Sequence, residues 1–290
     1  QSCHMPVVTE EVPVTGVLGV ERAEVSRHVF RGGNFFMLGM LNRYRAELGT
    51  RALPQEMDQA VARTKEHLAT KAATLSLESV GVQDGRVVAD AVVTNLAGHK
   101  LPSAYPSRRA WLHVVVRDGS GSIVFESGRI TPAGRIVGND NDDDPRSYEP
   151  HHAEIREPGE VQIYEAIMVD ARDVVSTGLL RGVRYVKDNR VVPRGFDKAG
   201  AVDDVAVQGR AAGDADFADG GDRVRYDVNV AGMTGPFTVE AELRYQPISF
   251  RWARNLGEYD TAETDRFVRM YDGMSAASSV VLARAVVDAR

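Results

Sequence analysis

Residues 7–33 carry no sustained period; from Asn34 to about residue 75 apolar residues recur every three to four positions, and beyond that every second position through most of the chain. From Asn34 to Leu48, the residues Met37, Leu41, Tyr44 and Leu48 fall on one face of a helix. Gly32-Gly33 ahead of Asn34 predicts a turn with Asn34 as N-cap, and Gly49 ends the helix where a left-handed residue is tolerated. Pro54 opens a second helix at a position where its missing N–H costs nothing. Met57, Val61, Leu68 and Leu75 make its apolar stripe, and Glu56, Arg63, Lys65 and Glu66 face water. Two amphipathic helices with a short link predict an antiparallel hairpin.

After about residue 75 the period drops to two. Residues 75–78 and 87–93 read as strands split by the Gln83-Asp84-Gly85 turn. Residues 111–117 and 122–126 form a second pair around Asp118-Gly119-Ser120-Gly121, a short hairpin turn. Further strands are expected at 161–169, 183–186, 223–230 and 237–245, with long polar insertions at 131–158 and 188–222. From Thr261 to Arg290 the spacing of Phe267, Met270, Tyr271, Met274, Val281, Leu282, Ala285 and Val286 predicts a return to helix, which Gly273 divides. The expected fold is α+β, mainly β: an Ig-like antiparallel β-sandwich flanked by an N-terminal helical hairpin and a C-terminal helix. The expected divisions are a helical segment at 1–74, the sandwich at 75–257 and a helical segment at 258–290.

Composition narrows the function classes. The chain has 290 residues and a net charge of −6, which argues against a nucleic-acid partner. No apolar run reaches the roughly 20 residues of a membrane span, and the first 30 residues do not read as a signal peptide. Serines and glycines are not arranged as a nucleophile triad, a phosphate loop or a dinucleotide fingerprint. No catalytic residue is therefore assigned, and the chain by itself does not read as an enzyme.

Candidate chemistry begins with histidine and the single cysteine. Cys3 directly precedes His4 in Gln1-Ser2-Cys3-His4-Met5-Pro6. Thioether attachment of a haem takes two cysteines and then a histidine, in the order C-x-x-C-H. With one more cysteine ahead of Gln1 the stretch would read C-Q-S-C-H-M-P. Two other stretches stand out: Arg27-His28-Val29-Phe30-Arg31-Gly32-Gly33-Asn34, and Gly98-His99-Lys100-Leu101-Pro102 running into Tyr105-Pro106-Ser107-Arg108-Arg109-Ala110-Trp111-Leu112.

On these three stretches the chain resembles the large multihaem c-type cytochromes of bacteria, in which a haem-rich region is followed by a haem-free C-terminal region. The resemblance implies that the chain starts inside the last haem motif and would cap an upstream haem domain of the same polypeptide. It implies an electron-transfer role, haem c as cofactor of the whole protein, a periplasmic or otherwise exported location and a possible redox partner protein. Cys3 and His4 would belong to the attachment motif, and His28 and His99 would be distal haem ligands. The chain departs from the family pattern in lacking the first cysteine, so it could not hold a haem by two thioether bonds.

Two acidic runs suggest calcium, which takes about six to eight oxygens. One is Asn139-Asp140-Asn141-Asp142-Asp143-Asp144, with Asp140, Asp142 and Asp144 as ligands. The other is spread over Asp214, Asp216, Asp219 and Asp222, with the first three as ligands. Arg146, Arg223 and Arg225 could neutralise the same charge. On this alternative the chain is a non-redox sandwich that binds calcium, carbohydrate or a protein. His151-His152 is expected in a surface loop, His67 on the flank of the second helix and His113 in a cross-strand contact.

Overall fold

The computed structural model describes residues 3–289, which divide into two compact units at His67/Leu68. In the first, four two-residue strands, β1 (Val7–Val8), β2 (Val12–Pro13), β3 (Glu21–Arg22) and β4 (Val25–Ser26), pair as β1–β4 and β2–β3. Helices α1 (Phe35–Arg43), α2 (Arg45–Leu48) and α3 (Pro54–Lys71) follow. The Asn34 side chain accepts from Met37 N, and Gly49 is left-handed at φ 64°, as the sequence predicts. Phe35, Phe36 and Met40 are buried on one side of α1, and the Lys65 ammonium lies 5.0 Å from the centre of the Phe35 ring.

The second unit is built on β5 (Ala73–Gln83), β6 (Arg86–Asn95), β7 (Arg109–Arg117) and β8 (Ile123–Ser127). An insertion carries helix α4 (Asp140–Asp143) and the short strands β9 (Glu154–Ile155), β10 (Ile163–Tyr164), β11 (Ala166–Val169), β12 (Val175–Ser176) and β13 (Arg184–Asp188). Then come β14 (Gly221–Asn229), β15 (Phe237–Gln246), helices α5 (Phe250–Leu256) and α6 (Ala262–Asp272), and β16 (Val280–Ala289). One sheet runs β5-β6-β14-β9, and the other runs β10-β7-β15-β16 with β8 also on β7. Taken in chain order, the long strands are distributed as A, B and E on one sheet and C, C′, F and G on the other, the immunoglobulin arrangement. Trp111 on the third long strand is fully buried, its indole N–H on the Gly128 carbonyl at 2.8 Å. Strict alternation along β14 turns Asp222, Val224, Tyr226 and Val228 inward. Phe125 of β8 meets Tyr226 of β14 edge to face across the core.

The α+β, mainly β class holds, and one element changes. Residues 262–272 are helical, whereas 280–289, expected as helix, form β16 along the whole of β15, from Phe237↔Ala289 to Tyr245↔Val280. Val281, Leu282, Ala285 and Val286 suit one helical face, but the β-branched residues of this segment pack better on a pleated surface. The sandwich supplies an open edge on β15 for them. Leu75 likewise belongs to β5, and the stripe of α3 ends at Leu68.

Candidate functional site

In the first unit, residues 4–8 lie antiparallel to 25–31. The β1–β4 ladder is extended by Arg27 N to Pro6 O and Arg31 N to His4 O, each at 2.9 Å. The His4 ring is fixed by the same partner, its Nδ1 lying 2.6 Å from the Arg31 carbonyl oxygen. A carbonyl only accepts, so Nδ1 carries the proton and Nε2 the lone pair. That tautomer is the one a metal-ligating imidazole adopts when its second nitrogen donates to a backbone carbonyl. Cys3 beside it is an exposed thiol. The His67 ring lies 5.9 Å from that of His4. His28 is exposed and stacks on Phe30 at 6.1 Å, with Phe30 itself 73% exposed. The fold therefore joins the Cys3–Pro6 stretch to the Arg27–Asn34 stretch and adds His67, which no local spacing links to residue 4. Gln1 and Ser2, part of the expected haem motif, lie outside the described residues.

His99 belongs to the second unit. It is exposed in the loop after β6, and its Nδ1 donates to the Lys100 carbonyl at 3.0 Å. The loop is anchored on both sides. Asn95 donates to the His99, Val191 and Val192 carbonyls, while Leu101 and Val191 exchange backbone hydrogen bonds at 2.9 and 2.8 Å. Lys100 and Arg190 both bond Asp188, each at 2.7 Å. Burial alone would raise the Asp188 carboxyl, but these two cations hold it below its ordinary value. A concavity of about 370 Å³ opens beside His99, between Phe196, Pro193 and Arg190.

The first acidic run does not gather its carboxylates. Asp142 is buried, accepting Arg109 Nη1 and Nη2 at 2.8 and 2.9 Å and Ile136 N at 2.8 Å. Asp144 turns outward and caps Arg146 N, and Asp140 lies near Glu149. These three carboxylates have separate partners: Arg109 for Asp142, Arg146 N for Asp144 and the neighbourhood of Glu149 for Asp140. In the second run Asp219 accepts Gly195 N across 24 residues of the insertion, and Asp214 Oδ1 accepts Asp216 N in a local turn.

A different grouping is brought together. Among the described residues, His151, Asp214 and Asp222 are the set able to surround an ion, with one atom from each lying within 4.8 Å of the others. His151, expected at the surface, is 4% exposed. The 188–222 insertion folds over it and places Phe217 edge-on at 5.2 Å. Its neighbour His152 faces Glu149 instead, at 2.7 Å. His113 bridges strands as expected, bonding Glu126 at 3.0 Å. Burial lowers its affinity for a proton, but Glu242 and Glu126 outweigh that and raise it.

No family model matches the chain, and no curated protein matches it. Among solved structures, it is similar to a penta-heme cytochrome c552 from Thermochromatium tepidum. The TM-score is 0.48 and the identity 14%, over 99% of this chain and 46% of that one. The chain thus spans less than half the length of that neighbour.

The residues at the start of the chain suit one end of a c-type haem attachment. Cys3 offers an accessible thiol, and the adjacent imidazole carries its lone pair on the nitrogen remote from Arg31. His99 has the same tautomer, set by the Lys100 carbonyl. No helix among the described residues is long and apolar enough to cross a membrane.

Proposed function

We propose that this chain is the haem-free C-terminal part of an exported multihaem c-type cytochrome that transfers electrons. Cys3 and His4 close its last attachment motif, and His28 and His99 serve as distal ligands. The observation that carries this reading is the 2.6 Å bond from His4 Nδ1 to the Arg31 carbonyl beside an exposed thiol. It holds the ring in one orientation and directs the lone pair away from the chain that fixes it. Haem iron, when bound, supplies the one-electron couple. The chain's own part is to orient His4 through Arg31, to cover the porphyrin from water and to offer imidazoles from two further segments. His28 stands next to exposed Phe30, and His99 stands at the lip of a concavity that includes Phe196. Each is an exposed imidazole with an aromatic side chain close by.

The test uses the full-length haem-bearing protein. His28→Ala and His99→Ala are each expected to convert one haem from low spin to high spin, read in the visible spectrum of the oxidised protein. Unchanged spectra in both variants would remove the distal-ligand assignment.

A further inference from the structure

We propose that His151, Asp214 and Asp222 form a buried proton-binding site, with Asp222 a neutral carboxylic acid and His151 a neutral imidazole, and not a metal centre. This is independent of the cytochrome reading and is tested on the chain itself.

The hydrogen-bond pattern decides against a metal. His151 Nδ1 receives Gln162 Nε2 at 2.8 Å and Asn189 Nδ2 at 3.1 Å. Neither amide can turn round. Gln162 Oε1 accepts His152 N, and its Nε2 also donates to Asp222. Asn189 Oδ1 accepts Glu165 N, and its Nδ2 also donates to the Ile163 carbonyl. Nδ1 is therefore an acceptor, and in the neutral ring the hydrogen sits on Nε2. Nε2 is the atom that faces the carboxylates, 3.1 Å from Asp214 Oδ2 and 3.9 Å from Asp222 Oδ1. A ligating histidine needs the reverse arrangement, with the remote nitrogen donating to an acceptor. Here an ion at Nε2 would displace the only hydrogen of the ring.

The same geometry places a proton on Asp222. Its Oδ2 accepts Tyr164 Oη at 2.7 Å and Gln162 Nε2 at 3.0 Å, while its buried Oδ1 has no hydrogen-bond partner among the described residues. The residue is 2% exposed, and no lysine or arginine forms an ion pair with it among the described residues. The titratable groups around the pair are Asp214 and Asp216 from the insertion, Tyr164 of β10, Tyr226 of β14, Lys187 of β13 and His152. An anion at Oδ1 would be desolvated and would face like charge from both aspartates. A carboxylic acid there escapes both penalties.

The proton affinities follow. Burial, aided by Asp214 and Asp216, pushes the Asp222 carboxyl up to about 7. Burial lowers the His151 imidazole to about 4, against the pull of Asp214. In the unfolded chain the order is reversed, with aspartate near 3.8 and histidine near 6.5. Around pH 5 folding thus takes a proton from His151 and places one on Asp222, with no net uptake.

The sign of the stability effect is fixed by those shifts. Asp222 binds its proton more tightly when folded, so its contribution falls as pH rises from about 4 to about 7. His151 binds its proton less tightly when folded, so its contribution rises over about 4 to 6.5. The two largely cancel in the wild type. Asp222→Asn removes only the first. The folding constant of Asp222→Asn relative to wild type should therefore climb between pH 4 and 7, by up to about a thousand-fold, and stay level above 7.

Two measurements test the site. In urea unfolding across pH 4–8, the expected result is that climb; a pH-independent ratio would overturn the proposal. In infrared spectra, wild type should show the carbonyl band of a protonated buried acid that disappears with a midpoint near pH 7. Asp214→Asn should lower that midpoint by removing a like charge. Absence of the band, or an unmoved midpoint, would count against the site even if Asp222→Asn fails to fold. Stabilisation of the wild type but not Asp222→Asn by added zinc or calcium would make it a metal centre instead.

Discussion

Asp142→Ala is expected to destabilise the second unit by about 3–5 kcal/mol, seen as a lower urea midpoint with an unchanged slope. The loss comes from what is left behind. Arg109 is 1% exposed, and its bidentate partner is Asp142. Burial alone would make that guanidinium costly, and Asp142 is the chief group that offsets the cost. Without the carboxylate, Arg109 keeps only Gln246 Oε1 at 2.8 Å and the Gly134 carbonyl at 3.2 Å. Ile136 N loses its acceptor as well. The damage spreads because the node joins four segments. Arg251 of α5 donates to the Asn141 and Asp142 carbonyls, and Gln246 of β15 reaches Gly134 and Ser278. Asp142→Asn keeps the shape and should cost less than the alanine variant. A loss below about 1 kcal/mol for Asp142→Ala would mean that the insertion is not pinned through this pair.

His4→Ala in the full-length haem-bearing protein is expected to remove the low-spin signal of one haem while leaving the others. On the proposed reading the variant loses an axial nitrogen, and with it the side-chain bond to the Arg31 carbonyl, while the backbone bond from Arg31 N to the residue 4 carbonyl stays. The β1–β4 pairing and the backbone bonds to Arg27 and Arg31 do not depend on the imidazole. The first unit should therefore retain its fold, and the spectral change can be read without a stability correction. A full set of low-spin haems in the variant would exclude His4 as an axial ligand.

Local signals served well where one rule acted alone. The Asn34 cap, the left-handed Gly49, the turn at residues 118–121 and the alternation of β14 are set by neighbours in sequence. The segment 280–289 was ambiguous because its apolar spacing fits a helix and a half-buried strand equally. Its state depends on β15 offering an edge more than thirty residues away along the chain. Histidine was harder. His67 meets His4 only through the packing of the first unit, and His151 is buried only because a distant insertion covers it. One clue to the second site was present in the pattern: Asp222 stands on the apolar face of its strand with Val224 and Tyr226. A lone carboxylate in that register is a buried one, whereas density of acidic residues, as at 139–144, says nothing about convergence.

The most direct test of the central reading is the mass of the peptide that carries Cys3, released by proteolysis from the full-length protein purified from its native host. The account predicts a peptide that extends ahead of Gln1, contains a second cysteine directly before Gln1, and carries a covalently bound porphyrin. A Cys3 peptide with an unmodified thiol, free to react with an alkylating reagent, would contradict it.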